Sequence, residues 1–224
     1  MLIKLQIMRW LIIVLIFLSA ANAQSQSKWE PEFKKFDEQD RLNDPPKERA
    51  IVFTGSSSIR MWKDVADALN NDKIINRGFG GSEFIDIIEN FERVIGRYNP
   101  AQVVLYSGDN DITHGKSATE VYGDFCTVYG MIRARFPEAR ISVLSIKPSP
   151  ARWAKAGEME KANQLIKTYA EGKPGLSFID VYTPMLTEEG KPRQELYVED
   201  GIHMTPAGYE IWKKAIAPML VTTN

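Results

Sequence analysis

Five short apolar runs recur along the chain, and each halts at a small or polar residue. They are Ile51-Val52-Phe53-Thr54, Ile74-Ile75-Asn76, Val103-Val104-Leu105-Tyr106, Ile141-Ser142-Val143-Leu144-Ser145 and Leu176-Ser177-Phe178-Ile179-Asp180. They do not alternate strictly between apolar and polar residues, as expected of strands covered on both faces. Stripes at helical spacing follow the second run (Phe84, Ile87, Ile88, Phe91, Val94, Ile95) and the third (Val121, Phe125, Val128, Ile132, Phe136). Ala162, Leu165, Ile166 and Tyr169 follow the fourth; Tyr209, Trp212, Ile216 and Leu220 come last, behind Pro206 in a first-turn position. Strands alternating with helices of this length require parallel pairing and right-handed crossovers. The pattern predicts a single three-layer α/β/α domain with a five-stranded parallel sheet. Ligands of such open sheets sit at the carboxyl ends of the strands, so the chemistry is to be sought just after each run.

Composition narrows the function classes. The 224 residues carry 28 Lys+Arg against 29 Asp+Glu, a formal net charge of −1. That balance argues against a strongly basic nucleic-acid binder. Hydrophobic residues at 44% and charged residues at 25% fit an ordinary globular domain. The single cysteine, Cys126, excludes an intramolecular disulfide and a cysteine-built metal site. Only His114 and His203 are available to imidazole chemistry.

At the amino terminus, Lys4 and Arg9 precede an apolar run from Trp10 to Leu18, followed by Ser19-Ala20-Ala21-Asn22-Ala23. This order predicts a signal peptide over residues 1–23 with cleavage after Ala23 and a secreted or periplasmic product. The run is short for a membrane span, so no stable membrane insertion is expected after cleavage. The residue directly after the cleavage point is Gln24, not a cysteine that could carry a lipid. A mature chain of about 200 residues can bury a full-sized core without disulfides. Trp29, Phe33 and Phe36 recur at helical spacing among charges, and Pro45-Pro46 follows. Residues 24–48 are therefore expected to form an N-terminal helical extension lying on the body of the domain, and residues 49–224 the domain itself.

Four segments at the strand ends carry chemical signals. Gly55-Ser56-Ser57-Ser58 follows the first run, where a sharp strand-to-helix turn exposes a serine at a helix start; the same residues also fit a plain capped turn. The residues alone do not choose among the three serines. Asn76-Arg77-Gly78-Phe79-Gly80-Gly81 follows the second run and allows close backbone approach to a ligand. It lacks the lysine of a P-loop and the Rossmann spacing. Gly108-Asp109-Asn110-Asp111 follows the third run and offers either an amide donor or an Asx turn. Near the carboxyl end, Asp200 stands three residues before His203, close enough for a carboxylate–imidazole hydrogen bond. A metal site would need further ligands, and only His114 remains.

Taken in order, these blocks resemble those of the SGNH hydrolases, or GDSL-type esterases, over roughly residues 51–220. The resemblance is strongest to the bacterial branch similar to the small subunits of platelet-activating-factor acetylhydrolase. It implies a flavodoxin-like sandwich and a serine esterase that uses no metal or organic cofactor. It places the nucleophile at Ser57, the base at His203 with Asp200 as its partner, and the oxyanion donors at the Ser57 and Gly81 backbone and the Asn110 side chain. Ser56 stands where the family usually has aspartate.

Lys147-Pro148-Ser149-Pro150-Ala151-Arg152-Trp153 follows the fourth run and should face the same edge. Trp153 is a candidate for stacking on a sugar ring, or an anchor for the next helix; Arg152 is a candidate for a polar or anionic substrate group. With an export leader and no long apolar insertion to serve as a lid, the expected substrate is a small acyl ester, acetyl first, on a carbohydrate. The alternatives are a lysophospholipid or short-chain lipid ester, or a non-catalytic carbohydrate-binding module on the same fold. A flavin carrier is a further option, since Gly55-Ser56-Ser57-Ser58 imitates a phosphate loop, but it has no use for Asp200 or His203.

Overall fold

The computed structural model describes residues 28–43, 45 and 49–222. The expected signal peptide lies outside them. The chain divides into two compact units, one ending at Asp37 and the other beginning at Glu38. The first unit contributes most of α1 (Glu30–Asn43), in which Phe33 and Phe36 are buried with ring centroids 6.1 Å apart.

The second unit holds one sheet of five parallel strands: β1 (Ala50–Gly55), β2 (Ile74–Gly78), β3 (Pro100–Tyr106), β4 (Arg140–Leu144) and β5 (Leu176–Ile179). Their order is β2-β1-β3-β4-β5. The chain moves outward from β1 to β2 and then returns to the opposite side of β1. The ends of β1 and β3 therefore flank the point where strand order reverses, where open α/β sheets bind ligands.

Helices cover both faces, and β1 is buried along its whole length, which explains why its sequence shows no alternation. On one face, Ile51 and Phe53 of β1 and Val104 and Tyr106 of β3 meet Trp62, Trp212 and Ile216 in a single buried cluster. Trp212 lies on α9 (Pro206–Ile216), which starts at the expected proline behind a Thr205 cap. Its ring centroid is 4.8 Å from that of Tyr106 and 6.3 Å from that of Trp62. On the other face, α7 (Ala118–Arg135) packs against α8 (Ala156–Ala170).

One expected helix is broken. The stripe from Phe84 to Ile95 forms two pieces, α4 (Phe84–Glu89) and α5 (Phe91–Val94). Asn90 separates them, and its side-chain amide donates to the Asp86 carbonyl at 2.8 Å. A short amide that competes for a backbone carbonyl offers the chain an alternative to the helical ladder. Among the described residues, no helix is long and apolar enough to cross a membrane.

Candidate active site

The serine loop is shaped by two close approaches. Gly55 ends β1 at φ +129°, and a Cβ there would lie 1.7 Å from the Tyr106 carbonyl oxygen. Only glycine lets β1 finish so near β3 before the chain turns. Ser57 then opens the single turn α2 (Ser57–Arg60), which another single turn, α3 (Val65–Ala68), follows. Gly78 supplies the second approach, since a Cβ on it would lie 2.4 Å from the Arg60 nitrogen. The end of β2 can thus lie directly against α2. Asn76 closes that turn by donating to the carbonyls of Ile59 and Trp62 at 2.7 and 3.0 Å. Of the three serines, Ser56 and Ser58 are buried and their hydroxyls find no hydrogen-bond partner, whereas Ser57 is partly exposed.

Ser57 meets an imidazole from the far end of the chain. His203 Nε2 lies 2.9 Å from Ser57 Oγ, and His203 Nδ1 lies 2.6 Å from Asp200 Oδ2. The other carboxylate oxygen of Asp200 accepts the backbone N–H groups of Ile202 and His203 at 2.8 and 2.9 Å. Partial burial works against ionisation of Asp200, but the His203 backbone N–H, the imidazole and the Ile202 N–H outweigh it and bring its pKa down to about 2. An ionised carboxylate only accepts, so a neutral imidazole here carries its proton on Nδ1 and presents a bare Nε2 to the serine. The side chains of His203 and Asp200 are 26% and 44% exposed, so this site is open to solvent. The loop is fixed from the β4 side, where the Ala151 N–H donates to the Gly201 carbonyl at 3.1 Å.

The third strand end brings Asn110 onto the short helix α6 (Asp109–Thr113). Its Nδ2 donates to the Ser82 carbonyl at 2.9 Å, and its Oδ1 accepts from Arg152 Nη2 at 2.9 Å. Gly81, next to Ser82, takes φ +75° in the turn after β2. Behind Asn110 lies a buried charge cluster. Lys147 Nζ is 3.2 Å from Asp109 Oδ2 and 3.2 Å from the Tyr106 hydroxyl. Arg152 Nη1 is 3.0 Å from the same Asp109 oxygen, an ion pair without hydrogen-bond alignment. Burial pushes the Asp109 carboxyl up, but the two cations prevail and hold it below the ordinary range. Lys147 has one anion and a competing cation beside it, so burial wins and lowers its pKa.

The structure thus brings Ser57, His203, Asp200 and Asn110 to one sheet edge, with Gly81 in the turn beside Ser82. Arg152 turns inward to Asn110 and Asp109. Trp153 is half-buried, with the Lys191 ammonium 5.4 Å from its ring centroid. Asp109 and Lys147 escaped the sequence reading. Their signal was available, since Lys147 directly follows a buried strand and Asp109 stands beside Asn110, but it requires knowing that β3 and β4 are neighbours. His114 also has a carboxylate partner, Glu83, at 2.7 Å, supplied by a segment 31 residues away. Among the described residues, no group of three or more His, Cys, Asp or Glu is placed to hold a metal ion.

A parallel five-stranded sheet with helices on both sides, and a serine, imidazole and carboxylate in line at its reversal point, is the architecture of the SGNH hydrolases. Residues 49–211 match the model of the GDSL-like lipase/acylhydrolase family, and the chain belongs to that family. It is an ester hydrolase. Among curated relatives, the platelet-activating factor acetylhydrolase IB subunit alpha1 of Pongo abelii is 24% identical over 188 residues, covering 78% of this chain and 77% of the relative. A solved structure described as a putative platelet activating factor from Streptococcus pneumonia superposes with TM-score 0.75 at 21% identity, covering 94% of this chain and 99% of the other. An acetyl-xylooligosaccharide esterase from Geobacillus Stearmophilus shares the fold with TM-score 0.62 at 15% identity, covering 76% and 93%.

Proposed function

We propose that this protein is an exported serine esterase that removes small acyl groups, acetyl first, from carbohydrate esters. The observation that carries the chemistry is the continuous chain from Ser57 Oγ through His203 to Asp200, at 2.9 and 2.6 Å. In this mechanism His203 Nε2 takes the hydroxyl proton as Ser57 Oγ attacks the acyl carbonyl. Asp200 holds the ring and stabilises the imidazolium. The tetrahedral oxyanion is received by the backbone N–H groups of Ser57 and Gly81 and by Asn110 Nδ2. The imidazolium returns the proton to the departing alcohol. Water then attacks the acyl-enzyme with His203 again as base. The protein's own groups supply every proton transfer in this scheme, so it calls for no metal or organic cofactor.

The carbohydrate reading draws on three supports: the exposure of His203 and Asp200, which leaves room for a large hydrated alcohol part; the fold shared with an acetyl-xylooligosaccharide esterase; and the export leader read over residues 1–23. A short-chain lipid ester is the second reading, favoured by the similarity to platelet-activating factor acetylhydrolase subunits. Nitrophenyl esters of increasing acyl length, assayed beside acetylated xylan and a short-chain phospholipid, separate the two. The proposal expects the highest kcat/KM on acetate and release of acetate from xylan. Turnover of the short-chain phospholipid, with no release from xylan, supports the lipid reading. Export is tested on the protein recovered from outside the cytoplasm, whose mass should begin at Gln24.

A further inference from the structure

An amide donor helps an oxyanion only if it is already aimed before charge develops. A free asparagine carboxamide turns readily about its last torsion, which is broad and two-fold. Asn110 is not free. Arg152 Nη2 donates to its Oδ1 at 2.9 Å, and its Nδ2 donates to the Ser82 carbonyl at 2.9 Å. Reversing the amide would set its NH2 against a guanidinium and its oxygen against a carbonyl, both repulsive, so its orientation is determined chemically. With one Nδ2 hydrogen committed to Ser82, the direction of the second is fixed.

Arg152 is itself held from behind. Asp109, buried, faces Arg152 Nη1 at 3.0 Å and Lys147 Nζ at 3.2 Å. Two cations share one carboxylate, and the Lys147 side chain is wholly buried. A guanidinium on the amide oxygen also polarises the amide and strengthens its remaining N–H as a donor.

We infer that Arg152, backed by Asp109 and Lys147, is a positioning residue for the reaction: it locks and polarises Asn110 as an oxyanion donor and does not bind the substrate. This rests on Asn110 being such a donor, and the experiment separates the two claims.

Steady-state kcat and KM on an acetate ester are measured for the wild type, Arg152→Met, Asn110→Ala and the double variant. Asn110→Ala should lower kcat by about 10²–10³, the usual loss for one donor. Arg152→Met should lower kcat at least about tenfold and leave KM within about twofold; added to Asn110→Ala, it should cost no more than about twofold further, because its effect runs through the missing amide. Arg152→Lys, which keeps the charge behind the amide, should recover part of the loss, and it replaces Met in the cycle if the Met variant melts early. The inference is overturned if Arg152→Met acts mainly on KM, or costs as much without Asn110 as with it. An Asn110→Ala enzyme of native kcat would overturn both claims together.

Discussion

His203 and His114 each set Nδ1 against a carboxylate, Asp200 at 2.6 Å and Glu83 at 2.7 Å, and both pairs stand beyond the carboxyl ends of the strands. The pairs differ in what surrounds them. His203 is 26% exposed and its Nε2 reaches a hydroxyl, whereas the His114 side chain is 61% exposed. Asp200 is occupied by its own loop and its imidazole. Glu83 is shared with Lys116 at 2.9 Å, which also meets Asp111 and Asp124 at 3.1 and 2.9 Å. Burial works against the charge on Lys116, but the three carboxylates prevail and raise its pKa. Glu83 also stands at the start of α4, where its backbone N–H donates to Asp86 at 2.9 Å. The second pair is thus a brace between the loops after β2 and β3. A carboxylate on Nδ1 orients an imidazole; a nucleophile on Nε2 is what makes it a base.

The sharpest break in this comparison is Ser57→Ala or His203→Ala. Either should lower kcat on nitrophenyl acetate by on the order of 10⁴ or more, with the fold retained by circular dichroism. A His203→Ala enzyme near the native rate would mean that the wrong imidazole has been chosen.

Asp200→Asn comes next, with a loss between about tenfold and about 10⁴ in kcat. The carboxylate is 44% exposed and anchored by two backbone N–H groups, so asparagine can keep much of the loop geometry. The loss should therefore stay smaller than that of His203→Ala measured in the same assay.

The pH profile sharpens the comparison further. With its pKa held down to about 2, the Asp200 carboxylate is ionised throughout the neutral and mildly acidic range. The acid limb of kcat/KM should then follow a single proton, taken up by the base. A limb of slope two would contradict that assignment. Because the folded pKa lies below the unfolded value of about 3.9, the stability Asp200 contributes is present above that value and is lost as pH falls toward about 2. The gap in melting temperature between wild type and Asp200→Asn should close over the same interval.

The smallest effects belong to the brace. His114→Ala and Glu83→Gln should leave kcat within an order of magnitude. The exposed imidazole should cost only about 0.2–1 kcal/mol in denaturant unfolding. A His114→Ala enzyme without activity would overturn the division of labour between the two pairs.

Much of the site was legible because its signals are local. Asp200 and His203 are three residues apart on one tight loop, so their pairing follows from spacing. Gly55 announces a turn that no other residue could make against Tyr106. Other features had no local signal. Asn90 lies inside an apolar stripe that fits one helix, and only its hydrogen bond to Asp86 shows why the helix stops. Arg152 looked outward in sequence, beside a tryptophan at a strand end, yet its partners lie 42 and 43 positions earlier in the chain.

The sequence by itself determined the strands, their parallel sense, the short list of two imidazoles and the edge where chemistry must lie. Those follow from periodicity, composition and turn residues, which act over a few neighbours. The residues by themselves did not choose among the three serines; the family resemblance pointed to Ser57 and His203, and the tertiary structure brings the two together across 146 positions while burying Ser56 and Ser58. It also turned Arg152, Asp109 and Lys147 into a buried support for Asn110. A contact of that kind exists only once β1, β3 and β4 lie side by side, because no local preference records which strand ends become neighbours.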